Sequence, residues 1–241
     1  FIDGQIVDES IYFASGTRLS VQPGATISVT PETTLVIGGI LETPVESNIT
    51  FLSSDPEQNW GGLRFERADA QVLRGLTVKN ATVGIEIISS PDVHIEDSFF
   101  IENQTGVQLR SDDGVRYRVN KITDSEFRDN EYYGIGASST GLNATDNLFV
   151  GGGNGINTNG GTCGGGTICG WSSTIQNNLF DVSGTAIGAY GHSITITNND
   201  IFNAAVGLDV NMLSGKVSHT IDQNNIQGWA RLGVQNDSKD P

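Results

Sequence analysis

The sequence predicts an all-β chain wound as a parallel β-helix, a solenoid of about ten rungs. Three observations point there. First, a phrase made of an apolar residue, a short polar turn and Gly-Ile or Gly-Val recurs from Leu73 onward. Its copies run Val78, Gly84, Ile85; Phe100, Gly106, Val107; Phe127, Gly134, Ile135; Phe149, Gly155, Ile156; Phe180, Ala186, Ile187; Phe202, Gly207, Leu208; and Ile226, Gly233, Val234. The anchors are 22, 28, 21, 31, 21 and 26 residues apart. Second, apolar and polar residues alternate in short β-branched runs, and no stretch carries helical spacing over the length a helix needs. Third, Gly, Asn, Asp and Ser punctuate those runs as corners. A unit this short cannot bury its own apolar face, so it must stack on its neighbours.

Taken in order, residues 1–72 supply strands at 19–21, 25–29, 34–37 and 48–51, parted by Gly24, Pro31, Gly38-Gly39 and Pro44. From residue 73 each unit reads as three strands; in the third copy these are 115–119, 122–127 and Gly134-Ile135. Rungs about 4.8 Å apart give a rod roughly 45–50 Å long. The residues after each anchor, Ile85, Val107, Ile135, Ile156, Ile187, Leu208 and Val234, should form one inward column. Phe99, Phe100, Phe127, Phe149, Phe180 and Phe202 read as a core stack. The corners before them are Asp97-Ser98, Asp124-Ser125, Asp146-Asn147, Asn177-Asn178, Asn199-Asp200 and Asn224-Asn225. Asn and Asp accept left-handed backbone, and stacked copies can form a hydrogen-bonded ladder. The two longest intervals carry polar loops, near 110–114 and 158–172, where solenoids place insertions on a binding face. Repetition without a linker predicts one domain, 1–241, with N-terminal rungs at 1–72 and regular rungs at 73–241.

The first rungs hold a specific order: Pro23-Gly24, Gly39-Ile40-Leu41, Ile49-Thr50-Phe51 and Trp60-Gly61-Gly62-Leu63. With the later Asn-x-Phe and Gly-Ile rungs, this resembles secreted right-handed β-helix repeat proteins of the pectate-lyase-like superfamily, across nearly the whole chain. The resemblance implies a right-handed coil. It does not imply one activity, because that fold hosts lyases, hydrolases, epimerases, phage spikes and adhesive proteins. Trp60 reads as a structural residue over a rung edge.

The net charge of −15 makes nucleic acid and anionic membrane poor partners, and no apolar run is long enough to span a bilayer. The chain begins at Phe1 without an initiator Met and reads as a mature or excised segment. Cys163 and Cys169 share one Gly-rich loop. A zinc site needs about four ligands and a redox centre is usually Cys-x-x-Cys, so a local disulfide is favoured, with an oxidising, extracellular or cell-surface location. Sequons at Asn48, Asn80, Asn103, Asn143 and Asn236 are glycosylation candidates, Asn48 and Asn143 foremost.

Catalytic templates are incomplete. Asp112-Asp113 and Gly191-His192-Ser193 occur without the other groups of a polygalacturonate hydrolase. A calcium-dependent lyase needs clustered carboxylates and a base; Asp112 and Asp113 with Lys121 are the weak alternative, and calcium the one cofactor they would take. His94, His192 and His219 share no motif and read as ordinary strand or turn residues. Carbohydrate contact without catalysis needs exposed aromatics with polar neighbours, and Tyr132, Tyr133, Trp171 and Tyr190 stand outside the phenylalanine register. Uncovered sheet edges would also allow identical subunits to meet end to end as a filament. The expected function is therefore an extracellular structural, adhesive or carbohydrate-associated β-helix without metal. The alternative is a polysaccharide lyase or glycoside hydrolase acting on an anionic glycan.

Overall fold

The computed structural model describes residues 1–44, 48–68, 70–90, 92–111, 119–160, 162–163, 167–168, 172–211 and 219–228. Among them there are strands and turns and no helix. Three parallel sheets run along the rod. The first has ten strands: Ile6–Val7, Thr26–Val29, Ile49–Ser53, Leu76–Lys79, Phe99–Ile101, Glu126–Arg128, Leu148–Val150, Leu179–Asp181, Asp200–Phe202 and Asn225–Gln227. The second has nine, from Ile11–Phe13 to Val206–Asn211, and the third has seven, from Gln71–Arg74 to His219–Asp222. Arg18–Ser20 and Ile40–Glu42 form a parallel pair at the corresponding place in the first rungs.

The chain visits the three sheets in turn. Leu76–Lys79 leads to Val83–Ile88 in the nine-stranded sheet, then Val93–Glu96 in the seven-stranded sheet, and Phe99–Ile101 returns beside Leu76–Lys79. That is one coil of a right-handed parallel β-helix, the hand that parallel crossovers take. Ten strands span about 43 Å. The two lengthened sequence intervals share one corner, between the nine- and seven-stranded sheets. Residues 111–118 and 160–171 both join those sheets, as do 212–218.

The inward column forms as the spacing requires. Leu35, Leu63, Ile85, Val107, Ile135, Ile156, Ile187 and Leu208 pair in unbroken register; Val234 lies outside the described residues. Beside it, Phe100, Phe127, Phe149 and Phe180 stack with centroids 4.9, 4.8 and 4.6 Å apart, so ring spacing equals rung spacing. The anchor glycines make room for these rings. A Cβ on Gly134 would sit 2.6 Å from the Phe149 ring and 3.0 Å from the Gly155 carbonyl; one on Gly106 would sit 2.7 Å from Phe127 and 2.6 Å from the Gly134 carbonyl. No side chain fits there.

Two aromatic assignments change. Phe99 faces outward at 43% exposure, since its neighbour Phe100 takes the inward slot. Ile201, not Phe202, continues the column beyond Phe180; a one-residue shift in a strand exchanges faces. The expected strand 122–127 is likewise two strands, Val119–Thr123 and Glu126–Arg128, broken at left-handed Asp124. Trp60 is fully buried, stacks on Phe51 and donates its indole N–H to the Lys79 carbonyl at 2.8 Å.

The corner ladder is made by the second residue of each turn. The backbone N–H of Ser98 donates to Ser125 Oγ, that of Ser125 to Asn147 Oδ1, and the series continues through Asn178, Asn199 and Asn224. Each Asn also passes a side-chain N–H to the next Asn, at 3.0, 3.0 and 2.9 Å. The preceding residue is left-handed in every rung: Asp97, Asp124, Asp146, Asn177, Asn198 and Gln223. The last two corners are therefore Asn198-Asn199 and Gln223-Asn224, one residue earlier than the sequence pattern suggested. A second, shorter ladder joins Asn103 to Asn130 at the next corner.

Asn178 stands in the middle of the first ladder, and its amide N–H groups also reach the Ala144 and Gln176 carbonyls. Asn178→Ala should cost at least about 3 kcal/mol in urea unfolding, because several buried groups lose partners at once. Asn225→Ala, at an exposed neighbouring position, should stay within about 0.5 kcal/mol of the parent.

Candidate functional site

The outward face of the nine-stranded sheet carries the most ordered set of polar and aromatic side chains. One outward column reads Gln108, Gly136, Asn157, Gly188 and Asp209 on successive rungs. Long side chains alternate with glycine. Each glycine lets a neighbour lie flat: a Cβ on Gly136 would meet Gln108 Oε1 at 2.4 Å, and one on Gly188 would meet Asn157 Nδ2 and the Tyr190 ring at 3.3 Å. The adjoining column reads Arg110, Ser138, Asn159, Tyr190 and Asn211. The result is a low platform of amides, hydroxyls and a tyrosine ring.

Tyr190 donates its phenol to Asp209 Oδ2 at 2.5 Å. Burial, the Asp209 carboxylate and the nearby Tyr133 phenol push the Tyr190 hydroxyl up to about 12. It therefore keeps its proton at neutral pH and acts as a donor, not as a base. Toward the N-terminal rungs the face becomes charged. Glu86 accepts from Arg64 at 2.6 Å and pairs with Arg110 at 3.2 Å.

Tyr133 and Tyr190 both belong to this face, and Tyr132, half exposed, lies at its edge. Trp171 lies outside the described residues, as do Asp112, Asp113, Asn236, the Cys169 residue and the side chain of Cys163, and with them the disulfide. Lys121 points out of the seven-stranded sheet, between His94 and Asn143, on a different face from the tyrosines. Of the sequons, Asn48 is exposed, and Asn80 and Asn143 are half-buried. Asn103 is corrected as an acceptor site: its side chain is buried, donates to the Val78 carbonyl and accepts from the Ala81 N–H, so no glycan can reach it in the fold. The Gln108-to-Asp209 alternation was missed from sequence, although it sits at one fixed offset, two residues beyond each anchor.

The three histidines do not converge. His94 lies outside the barrel wall between Val72 and Lys121, with Nδ1 unpartnered. His192 is buried, with Nδ1 at 3.0 Å from the Tyr190 carbonyl and Nε2 at 3.0 Å from Ser173 Oγ. His219 is on the following rung, beside Ile194, with both ring nitrogens buried and unpartnered. Among the described residues no three His, Cys, Asp or Glu side chains gather as a metal site would require.

A family model described as "Periplasmic copper-binding protein (NosD)" matches residues 2–183 and 43–240. Among solved structures, the chain is similar to one titled "Crystal structure of pectate lyase Pel9A". The identity is 14% and the TM-score 0.48, over 86% of this chain and 71% of that one. A search of curated proteins found no match.

Burial holds the imidazoles of His94, His192 and His219 below the usual histidine value, with Lys121 adding to the effect at His94. The fold thus favours the neutral rings. As pH falls through about 6.5 the unfolded chain takes up these protons first, so stability present above that pH is lost below it. The melting temperature should fall between pH 7.5 and 5. The slope should be shallower in His192→Asn, even if that variant melts lower throughout. An identical slope would mean that His192 does not contribute.

Proposed function

The chain belongs to the periplasmic copper-binding protein (NosD) family, and from that premise we propose that it is an extracytoplasmic β-helix that holds a polysaccharide against its nine-stranded face without cleaving it. The family's periplasmic description agrees with the expected location outside the cytoplasm.

The observation that carries this reading is the alternation of Gln108, Gly136, Asn157, Gly188 and Asp209 beside Tyr133 and Tyr190. Sugar rings offer apolar C–H faces and many hydroxyls. A flat aromatic surface ringed by amides and a carboxylate answers both. Strand spacing repeats the same chemistry every 4.8 Å or so along the rod, which suits a long linear ligand.

The copper in the family's description does not fit the described donors. His192, the histidine nearest His219, has both nitrogens engaged, no third donor joins the two among the described residues, and His94 is on a remote part of the wall. Cleavage of an anionic glycan is likewise not favoured. Tyr190 holds its proton, and Lys121 projects from another sheet.

Affinity electrophoresis tests the proposal, in gels cast with xyloglucan, galactomannan, mixed-linkage β-glucan or polygalacturonate. The parent protein should be retarded in at least one gel. Tyr190→Ala should weaken that retention roughly tenfold, and Tyr190→Phe less, since the ring is kept and only the Asp209 bond is lost. Equal retention of parent and Tyr190→Ala would sink the platform as the contact surface. Sustained release of unsaturated or reducing ends would replace binding with catalysis.

A further inference from the structure

A concavity lies on the same face, at the opposite end of the rod from Tyr190. It is open to solvent, has a volume of about 440 Å³ and is lined by Tyr12, Ser15, Gly38, Glu66 and Arg67. Its origin is legible in the columns. Tyr12 heads the outward column that continues through Val36 and Arg64 toward Gln108 and Asp209. Gly38 precedes Glu66 in the adjoining column, one residue beyond the pair Ile37 and Phe65. With no side chain at Gly38, the Tyr12 ring lies along the face, its hydroxyl 3.1 Å from where a Cβ on Gly38 would sit, and the concavity lies between that ring and Glu66 on the rung following Gly38.

Arg67 is the anomaly that makes this gap a site. Its corner position is held in register by backbone bonds from one rung to the next. The residues there are Gly39, Arg67, Ser89, Ser111, Ser139, Gly160 and Gly191. Every other described member is Gly or Ser. Arg67, Ser89, Ser139 and Gly191 all have positive φ, at 49°, 49°, 55° and 73°. Left-handed corners are common in this chain, so what sets Arg67 apart is its length and charge: it is exposed, with no ion pair among the described residues. Tyr12, on the facing wall, is 65% exposed. An exposed Arg and an exposed tyrosine ring thus line one concavity.

We infer that this cleft is a second saccharide subsite, taking one uncharged pyranose residue of a polysaccharide, with Tyr12 stacked on the ring and Glu66, Arg67 and Ser15 bonded to its hydroxyls. The charge balance selects the class. Glu66 and Arg67 supply an acceptor and a donor with no net charge between them. The chain as a whole carries −15, which repels a polyuronate. The volume is in the range of small-ligand pockets. The inference rests on the polysaccharide-binding reading, but on different residues. The two tyrosine stations are about 34 Å apart along the rod, too far for one trisaccharide to bridge.

That separation supplies the test. Amide shifts of the folded chain are followed by NMR while cellotriose, xylotriose, mannotriose, laminaritriose or trigalacturonate is added. At least one neutral trisaccharide should shift two separate groups of amides, one around Tyr12, Gly38 and Arg67 and one around Tyr133 and Tyr190. Tyr12→Ala, and Arg67→Ser, which installs the residue found in other rungs, should each abolish the first group and leave the second. Tyr190→Ala should do the reverse. Shifts around Tyr190 alone, or a first group indifferent to both cleft variants, would overturn the cleft and leave the platform standing. Shifts around Tyr12 alone would do the opposite. A stronger response to trigalacturonate than to any neutral trisaccharide would overturn the uncharged-ligand assignment, and no response to any sugar would overturn both sites.

Discussion

Everything in this molecule depends on a single repeating contact, a phenylalanine ring packed over the backbone of the anchor glycine of the preceding rung and against the same ring on the next. Rings 4.6–4.9 Å apart cannot slip by one residue without driving a side chain into the space that Gly106 or Gly134 leaves. In parallel strands a slip of one residue also turns every side chain to the other face. The stack therefore sets register from inside. The Asn ladder sets it again at the corner, where each amide is both donor to one rung and acceptor from another. Buried polar groups of this kind stabilise only when every member is satisfied, so the ladder rewards one register and penalises the rest.

A fixed interior makes the exterior a ruled surface. Because Ile135, Ile156 and Ile187 are aligned inside, Gly136, Asn157 and Gly188 are aligned outside. Alternating glycine with longer residues then flattens the face without any loop. The same logic gives the Tyr12 cleft, in which Gly38 leaves room for the Tyr12 ring to lie along the face and Arg67 adds a side chain to a corner that is otherwise Gly or Ser among the described residues. Both features are substitutions in columns, and neither disturbs the core. The lengthened intervals, in contrast, all fall in sequence between a strand of the nine-stranded sheet and the next strand of the seven-stranded sheet.

The coil, the inward aliphatic column and most of the phenylalanine stack were legible in the sequence, because a repeat of 21–22 residues leaves few ways to bury an apolar face. The departures from the repeat are of one residue. Ile201 and not Phe202 is inward, and the last two ladder corners begin at Asn198 and Gln223 and not at Asn199 and Asn224. Runs such as Asn198-Asn199-Asp200 contain three turn-formers in succession, and composition alone does not say which is left-handed. Asn103 looked like a glycan acceptor because a sequon carries no information about burial. Of the site, Tyr133 and Tyr190 were found as aromatics out of register. The amide and glycine column and the Arg67 anomaly appear only when residues are compared down a column, across rungs whose lengths differ.

The most direct measurement of this account is amide hydrogen exchange, resolved by residue, on the free protein and with a bound glycan. A face built from the inside is rigid before the ligand arrives. The account predicts that amides of Tyr133–Ser138 and Thr185–Tyr190 are in the slowest class in the free protein, together with those of the phenylalanine strands, and that a glycan changes them little. Fast exchange of those strands in the free protein, slowed only when sugar is present, would contradict it, because the platform would then be made by the ligand and not by the packing beneath it.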